Sequence, residues 1–546
     1  MFLKPLLPPY DPLEWEKQPF EQKSRMVCQA WALQGYGAPL AVYLAYALKV
    51  LLYIGGWLFF CSLDPAKPVA ELSSWWLEPV AFQKAILWSA LFEILGMGCG
   101  SGPMTGRYWP PIGGALYFLR PGTTKLPLFP GAPVIGGIRR NALDALLYAG
   151  TLALFVGALS SDEPPRSLFV GLALSIAALG VLDKTLFLCV RGEHYWTTIA
   201  IFALATDFVP GAKAVHTALW FWAGFSKLNH HFPAVVGVMT SNGPFTRFAW
   251  LRRRMYRDYP NDLNPSQLAT YLAHAGTLLE LSVPVVLLAG NGGTVTLVGL
   301  VLMLLLHTFI TSNVPMGVPI EWNFMMVHGA FFLFWKNADV SVLSMSLPVA
   351  ALVGLVCVVL PLLGNFFPAR VPFLLAMRYY AGNWAYSVWL FRGNSHERLD
   401  RLTKSSGWVY DQLVGMYDRA TMVAMTSKAM AFRLMHLHGR VLPPLVERAA
   451  PNFSEYQWVE GELVAGIVLG WNFGDGHLHR EQLLSAVQQQ CHFEEGELRC
   501  IMVESQPLGK GTLHYRILDA KTGLLEQGLV EISTLRARQP WGETAA

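Results

Sequence analysis

The stretch whose reading decides the fold is LWFWAGFSKLNHHF, Leu219–Phe232. It is an apolar run that carries one lysine, Lys227, into a cluster of Asn229, His230 and His231. A lysine in a bilayer costs about 2.5–3.5 kcal/mol on insertion scales, so it needs a partner, a route to the interface or a task. Continued as one helix, the run puts Gly224, Lys227 and His231 at i, i+3 and i+7, on a single face. Gly224 and Ala223 leave that face open to a neighbouring helix or a flat ligand. A lysine snorkelling from a helix end is the plain alternative.

The rest of the chain agrees with a membrane setting. Charged residues make up 14% of the 546 and hydrophobic ones 53%, against about 25% charged in a typical soluble domain. The expected fold is an all-α multi-pass helical bundle with a small C-terminal α+β domain. Apolar runs at 38–60, 80–99, 142–160, 168–190, 195–209, 214–230, 267–289, 294–312, 322–336 and 342–364 predict about ten spans. Residues 1–37 then form an interfacial arm and 38–366 the bundle. Residues 367–452 read as amphipathic interfacial helices, including MRYYAGNWAYSVWLFR (377–392), and 453–546 as the α+β domain. Within that domain Val459–Leu469, Leu498–Glu504, His514–Asp519 and Leu524–Ile532 read as strands, and Arg480–Gln490 as a helix.

Loop charge predicts orientation. The 100–141 loop, rich in Gly and Pro, holds Arg107, Arg120, Lys125, Arg139 and Arg140; the 231–266 loop holds Arg247, Arg252, Arg253, Arg254 and Arg257. The intervening loops carry one Lys or Arg at most. The positive-inside rule then puts both termini in the cytoplasm, with the bundle in the inner membrane. The net charge of +4 is small and spread over loops, so no nucleic-acid partner is implied. Of the seven cysteines, Cys491 and Cys500 alone look placed to pair, and only in an oxidising compartment.

Other ionisable residues sit in or beside apolar runs. Asp183 and Lys184 lie in LDKT, followed by His194 in RGEHYW; Glu280 lies in LLELSVP, and His307 precedes Glu321 in MGVPIEWN. Intramembrane groups of this kind face a bundle interior or a cavity by default, although LDKT and RGEHYW also suit an interfacial charge cluster. No metal site is expected: His230 and His231 project about 100° apart on a helix, and the histidines at 436, 438, 477 and 479 suit an interfacial helix and a polar turn.

Taken in order, AGFSKLNHHF, LDKT with a following histidine, the ELSVP run and His307 before MGVPIEWN resemble the horizontally transferred transmembrane (HTTM) group that includes the vitamin K-dependent γ-carboxylase. The resemblance covers roughly 140–336, and within the group the chain looks closest to a bacterial branch of transmembrane proteins of unknown function. It implies that Lys227 is the base acting on a reduced quinone, with His194 assisting. Asp183, Lys184, Gly224, Asn229, His231, Glu280, His307 and Glu321 would shape the pocket. Glu193-His194 stands where that group has Asn-His, and the C-terminal region is shorter. The expected function is a membrane enzyme acting on or with a lipid-soluble, quinol-like substrate, in the manner of a carboxylase or oxygenase. A non-catalytic lipid-binding or maturation factor on the same bundle is the alternative, and a transporter the third. Membrane lipids are the expected surroundings in every case.

Overall fold

The computed structural model describes residues 2–98, 113–314, 319–471 and 474–543. The chain is 60% helical, with a small sheet near its C-terminus. Among the described residues, five helices are long and apolar enough to cross a bilayer: Leu40–Cys61, Ala142–Ser160, Gln267–Ala289, Thr294–Thr311 and Leu347–Phe366. At 1.5 Å per residue, the 22 residues of Leu40–Cys61 span about 33 Å, enough for a hydrocarbon core near 30 Å. Exposed Leu44, Leu48, Leu51 and Leu52 on that helix, and Leu297, Val301 and Leu305 on another, form the apolar exterior that lipid covers.

The expected count of about ten spans is not reached by that measure, and four of the five runs that fall short do so for a local cause. The run at 168–190 breaks at Asp183, whose side chain caps the next short helix by accepting from Thr185 N. The run at 195–209 becomes a wide turn, Gly192–Trp196, followed by Thr197–Leu204. The run at 322–336 divides into Ile320–Ala330 and a wider-wound Phe331–Lys336. The run at 80–99, expected as a span, forms the 16-residue helix Pro79–Ile94, buried along almost its whole length, so it fills the centre of the bundle. Part of the 100–141 loop lies outside the described residues. The remainder is tied to the bundle by ion pairs, Lys125 to Asp144 at 2.7 Å and Arg140 to Asp183.

The sheet departs from expectation in an instructive way. After a short hairpin of β1 Tyr256–Asp258 and β2 Asp262–Pro265, strands β3 Tyr386–Arg392, β4 Tyr456–Glu460, β5 Leu498–Val503, β6 Thr512–Asp519 and β7 Gly523–Glu531 form one antiparallel sheet in the order β4-β3-β5-β6-β7. β3 was expected as part of an interfacial helix, and Gly461–Leu469 as strand rather than the helix it forms. Strand side chains alternate between faces. On β3, Trp389 and Phe391 join the core shared with the bundle, whereas Tyr386, Val388 and Leu390 join a second core under helix Arg419–Met435. A strand buried on both faces shows no apolar–polar alternation, so its period is invisible in sequence.

The N-terminal helix Phe20–Gln34 packs into that second core, with Val27 and Trp31 beside Val423 and Met430. It is also tied to the basic loop: Arg252 Nη1 donates to the Leu33 carbonyl at 2.5 Å. The same loop meets the C-terminus, where Gln539 Oε1 accepts from Leu263 N at 2.9 Å. The N-terminal segment, the 231–266 loop and the C-terminal domain therefore gather at one end of the bundle. Cys491 and Cys500 are buried free thiols, Cys500 in the middle of β5.

Candidate functional site

Lys227 ends the helix Val209–Ser226 as its C-cap, and Phe232 begins the next helix. The face expected to unite Gly224, Lys227 and His231 is therefore broken after Lys227. Gly224 does what its size allows: a Cβ there would sit 2.9 Å from Leu281 Cγ and 3.2 Å from its backbone nitrogen. The neighbouring helix Gln267–Ala289 closes on that bare spot, and this approach brings Glu280 onto Lys227 as a buried ion pair. Lys227 also lies 5.3 Å from the Phe232 ring centroid. The lysine is neither snorkelling nor unpaired; it has a carboxylate partner inside the bundle.

His194 is held elsewhere. Its Nδ1 accepts from Trp322 Nε1 at 3.1 Å, and its ring lies 5.1 Å from that of His216. His216 precedes Lys227 by eleven residues of helix, about 16 Å, so base and helper of the expected scheme are not brought together. His307 lies between the two levels. Its Nε2 accepts from Trp220 Nε1 at 3.0 Å, and Nδ1 meets Asn323 Oδ1 at 2.6 Å. An indole N–H can only donate, so the nitrogen facing it carries the lone pair. Trp220 thereby fixes His307 as the Nδ1–H tautomer and Trp322 fixes His194 as the Nε2–H tautomer. His194 Nε2 and both nitrogens of His216 have no hydrogen-bond partner among the described residues.

Three further groups complete this polar interior. Arg191, in a left-handed backbone conformation at φ 57°, donates to Glu193 Oε1 at 2.9 Å, and Tyr379 OH reaches the same oxygen at 2.7 Å. Glu321 pairs with Lys49 at 3.0 Å. Glu93, on the buried central helix, lies within the field of Glu321, Arg191 and Lys49. Glu93, Lys49 and His216 were missed in the sequence. Each is a lone polar residue in an apolar run, which is the signal that singled out Glu280.

Other expected pocket residues have structural posts. Asp183 accepts from Leu126 N at 3.2 Å and pairs with Arg140, so it locks the 119–141 loop; Lys184 follows it, half-buried. Asn229 Oδ1 accepts from His231 N at 2.6 Å and Phe232 N at 3.1 Å, shaping the turn between helices. His231 Nε2 meets Gln506 Oε1 at 2.8 Å and its ring lies 6.2 Å from His438, so it belongs to the junction with the C-terminal domain. Burial draws His231 down to about 4. No group of three His, Cys, Asp or Glu among the described residues is arranged to hold a metal.

Comparison with known proteins corrects the resemblance to the carboxylase group. A family model described as a transmembrane protein of unknown function (DUF3556) matches residues 1–545, whereas no HTTM or carboxylase family matches. No curated protein and no solved structure matches the chain. The short motifs that carried the resemblance do local work here: a glycine admits a helix, a lysine finds its glutamate, and an aspartate caps a turn. The quinone and the residue roles it implied lose that basis. The apolar exterior and the family agree on a membrane-integral protein, and the chain belongs, from residue 1 to 545, to the DUF3556 family of transmembrane proteins of unknown function.

Proposed function

We propose that this protein is an integral membrane enzyme that moves a proton to or from a lipid-soluble substrate. The reacting group is the Lys227–Glu280 pair. The observation that supports this reading is the burial of that pair, whose side chains are 8% and 5% exposed between two apolar helices. The pair places an amine and a carboxylate in direct contact away from bulk water, so a proton can pass between them without a solvent relay. Proton transfer from Lys227 Nζ to Glu280 gives a neutral amine, which is a base. His307, with Nε2 held by Trp220 and Nδ1 by Asn323, fixes the polar surroundings inward of the pair. His194, His216, Glu321 and Arg191–Glu193 lie deeper and set the polarity of the interior.

Lys227→Arg tests this. Arginine keeps the ion pair but stays protonated, so it cannot serve as the base. A deletion strain carrying Lys227→Arg should show normal membrane abundance and no complementation. The double variant Lys227→Met/Glu280→Gln strands no charge and should behave alike. Full complementation by either overturns the catalytic reading. Rescue by Arg together with failure of the double variant would favour the non-catalytic lipid-binding factor, for which the pair is a helix clamp.

We also propose that both termini face the cytoplasm of the inner membrane. Support comes from the clustering of the N-terminal helix and the C-terminal domain with the loop that carries Arg247, Arg252, Arg253, Arg254 and Arg257. Cysteines placed in that loop should resist an impermeant thiol reagent in intact cells, and labelling from outside would reverse the orientation.

A further inference from the structure

Where the bundle meets the C-terminal domain, a cleft of about 440 Å³ runs between the end of the lysine helix, the glutamate helix and the loop from β5 to β6. One wall is apolar: Phe225, exposed Leu228 and exposed Leu508. The inner wall carries Arg378. This arginine is 3% exposed, and its guanidinium reaches two carbonyls, Asn383 O from Nη2 at 2.7 Å and Gly364 O from Nη1 at 3.3 Å. Its Nε has no hydrogen-bond partner, and no carboxylate lies within ion-pair distance, among the described residues. Glu504, the acid whose field it feels, is already committed. One oxygen pairs with Arg480, and the other accepts from Ser505 N at 2.9 Å and lies 3.7 Å from His477. A buried cation with no counter-charge is costly, and a guanidinium with a spare N–H is shaped for an oxyanion.

The remaining lining fits an anion arriving from the membrane. Lys510 and His230 line both this cleft and an adjoining recess of about 370 Å³ that adds Arg536. Glu531 is the one acid among the residues lining the two recesses. His274 contributes from the first turns of the glutamate helix, seven residues in, so the cleft sits about 10 Å from that helix's start. Basic groups inside, an apolar rim outside and this depth together describe a headgroup pocket.

We propose that this cleft binds a phosphate-type oxyanion carried on an amphiphile, with Arg378 as its buried counter-charge and Leu228, Phe225 and Leu508 against the chain. Lys227 and Glu280 do not line the cleft, and the proposal does not depend on the bundle being catalytic.

The test is thermal unfolding of the full-length protein, purified in an uncharged detergent. It is titrated with phosphatidic acid, with phosphatidylcholine and with inorganic phosphate, each against chloride at equal ionic strength. Phosphatidic acid should raise the midpoint by several degrees and saturate, as expected for a ligand of the native state. Phosphatidylcholine should do little, and inorganic phosphate should act weakly and only at far higher concentration. Arg378→Gln should abolish the phosphatidic acid response. Lys510→Gln, an exposed change that cannot disturb the fold, should raise the half-saturating lipid fraction by roughly threefold. Inorganic phosphate matching the lipid would support the oxyanion site but overturn the amphiphile as its source. Equal responses to both lipids, or an unchanged response in Lys510→Gln and Arg378→Gln, would overturn the proposal.

Discussion

Lys227 and Arg378 are both buried cations, yet the chain treats them in opposite ways. Lys227 lies between two helices and faces Glu280, a carboxylate supplied from within the same membrane layer. Arg378 lies at the junction with the C-terminal domain and faces carbonyl oxygens and an open cleft. Burial draws Arg378 down to about 10, so it still carries its proton at neutral pH. One charge is settled inside the protein; the other is left for something that binds. The difference separates an interior built to hold or pass a proton from a surface built to receive an anion.

The comparison is broken most severely at the ion pair. Glu280→Gln leaves Lys227 buried without a counter-charge and should cost about 3–5 kcal/mol of stability, read as a fall in the unfolding midpoint and in membrane abundance. Adding Lys227→Met to it should restore most of the loss. A single variant as stable as wild type would mean that the pair contributes nothing to holding the two helices.

Acid should act next, and on the junction rather than the pair. His231, His436 and His438 form a contiguous ring cluster there, and burial draws His231 to about 4, His436 to about 3 and His438 well below its ordinary value. Between those values and 6.5 the unfolded chain binds more protons than the folded one, so stability rises with pH across the window and is lost on acidification. The slope approaches about 1.4 kcal/mol per pH unit for each histidine. The midpoint should therefore fall from pH 6.5 to pH 4, and His436→Gln should flatten the fall. A flat profile would mean that these rings gain protons as easily folded as unfolded.

Arg378→Gln should be the mildest change when no anion is present. It breaks no ion pair and removes donors from two carbonyls, about 1–3 kcal/mol in all. A loss as large as that of Glu280→Gln would show that Arg378 is already satisfied inside the protein and that the cleft has no charge to offer a ligand.

Part of this was legible in sequence. Periodic apolar runs fixed the helices at 40–61, 142–160, 267–289 and 294–311 to within a residue or two, because lipid-facing helices must be apolar over a bilayer's thickness. Glu280, His307 and Lys227 stood out for the converse reason, as charges where charge is expensive. What failed was partnership. Nothing in LDKT says that Asp183 would cap a turn and hold Arg140 across the fold, and the family resemblance built on such fragments did not survive comparison with known families. β3 failed because a strand covered on both faces looks like any aromatic-rich apolar run. Arg378 failed for the same cause: within MRYYAGNWAYSVWLFR it read as an interfacial arginine, and only the packing of the β5–β6 loop over it makes a cleft.

The most direct test of the contrast is a density map of the protein in nanodiscs containing phosphatidic acid, at a resolution that shows side chains. It should show Lys227 and Glu280 in direct contact with nothing between them, and a headgroup-sized feature against Arg378 Nε with its chain running past Leu228. A carboxylate of the protein itself at Arg378, or a ligand wedged between Lys227 and Glu280 with the cleft empty, would contradict it.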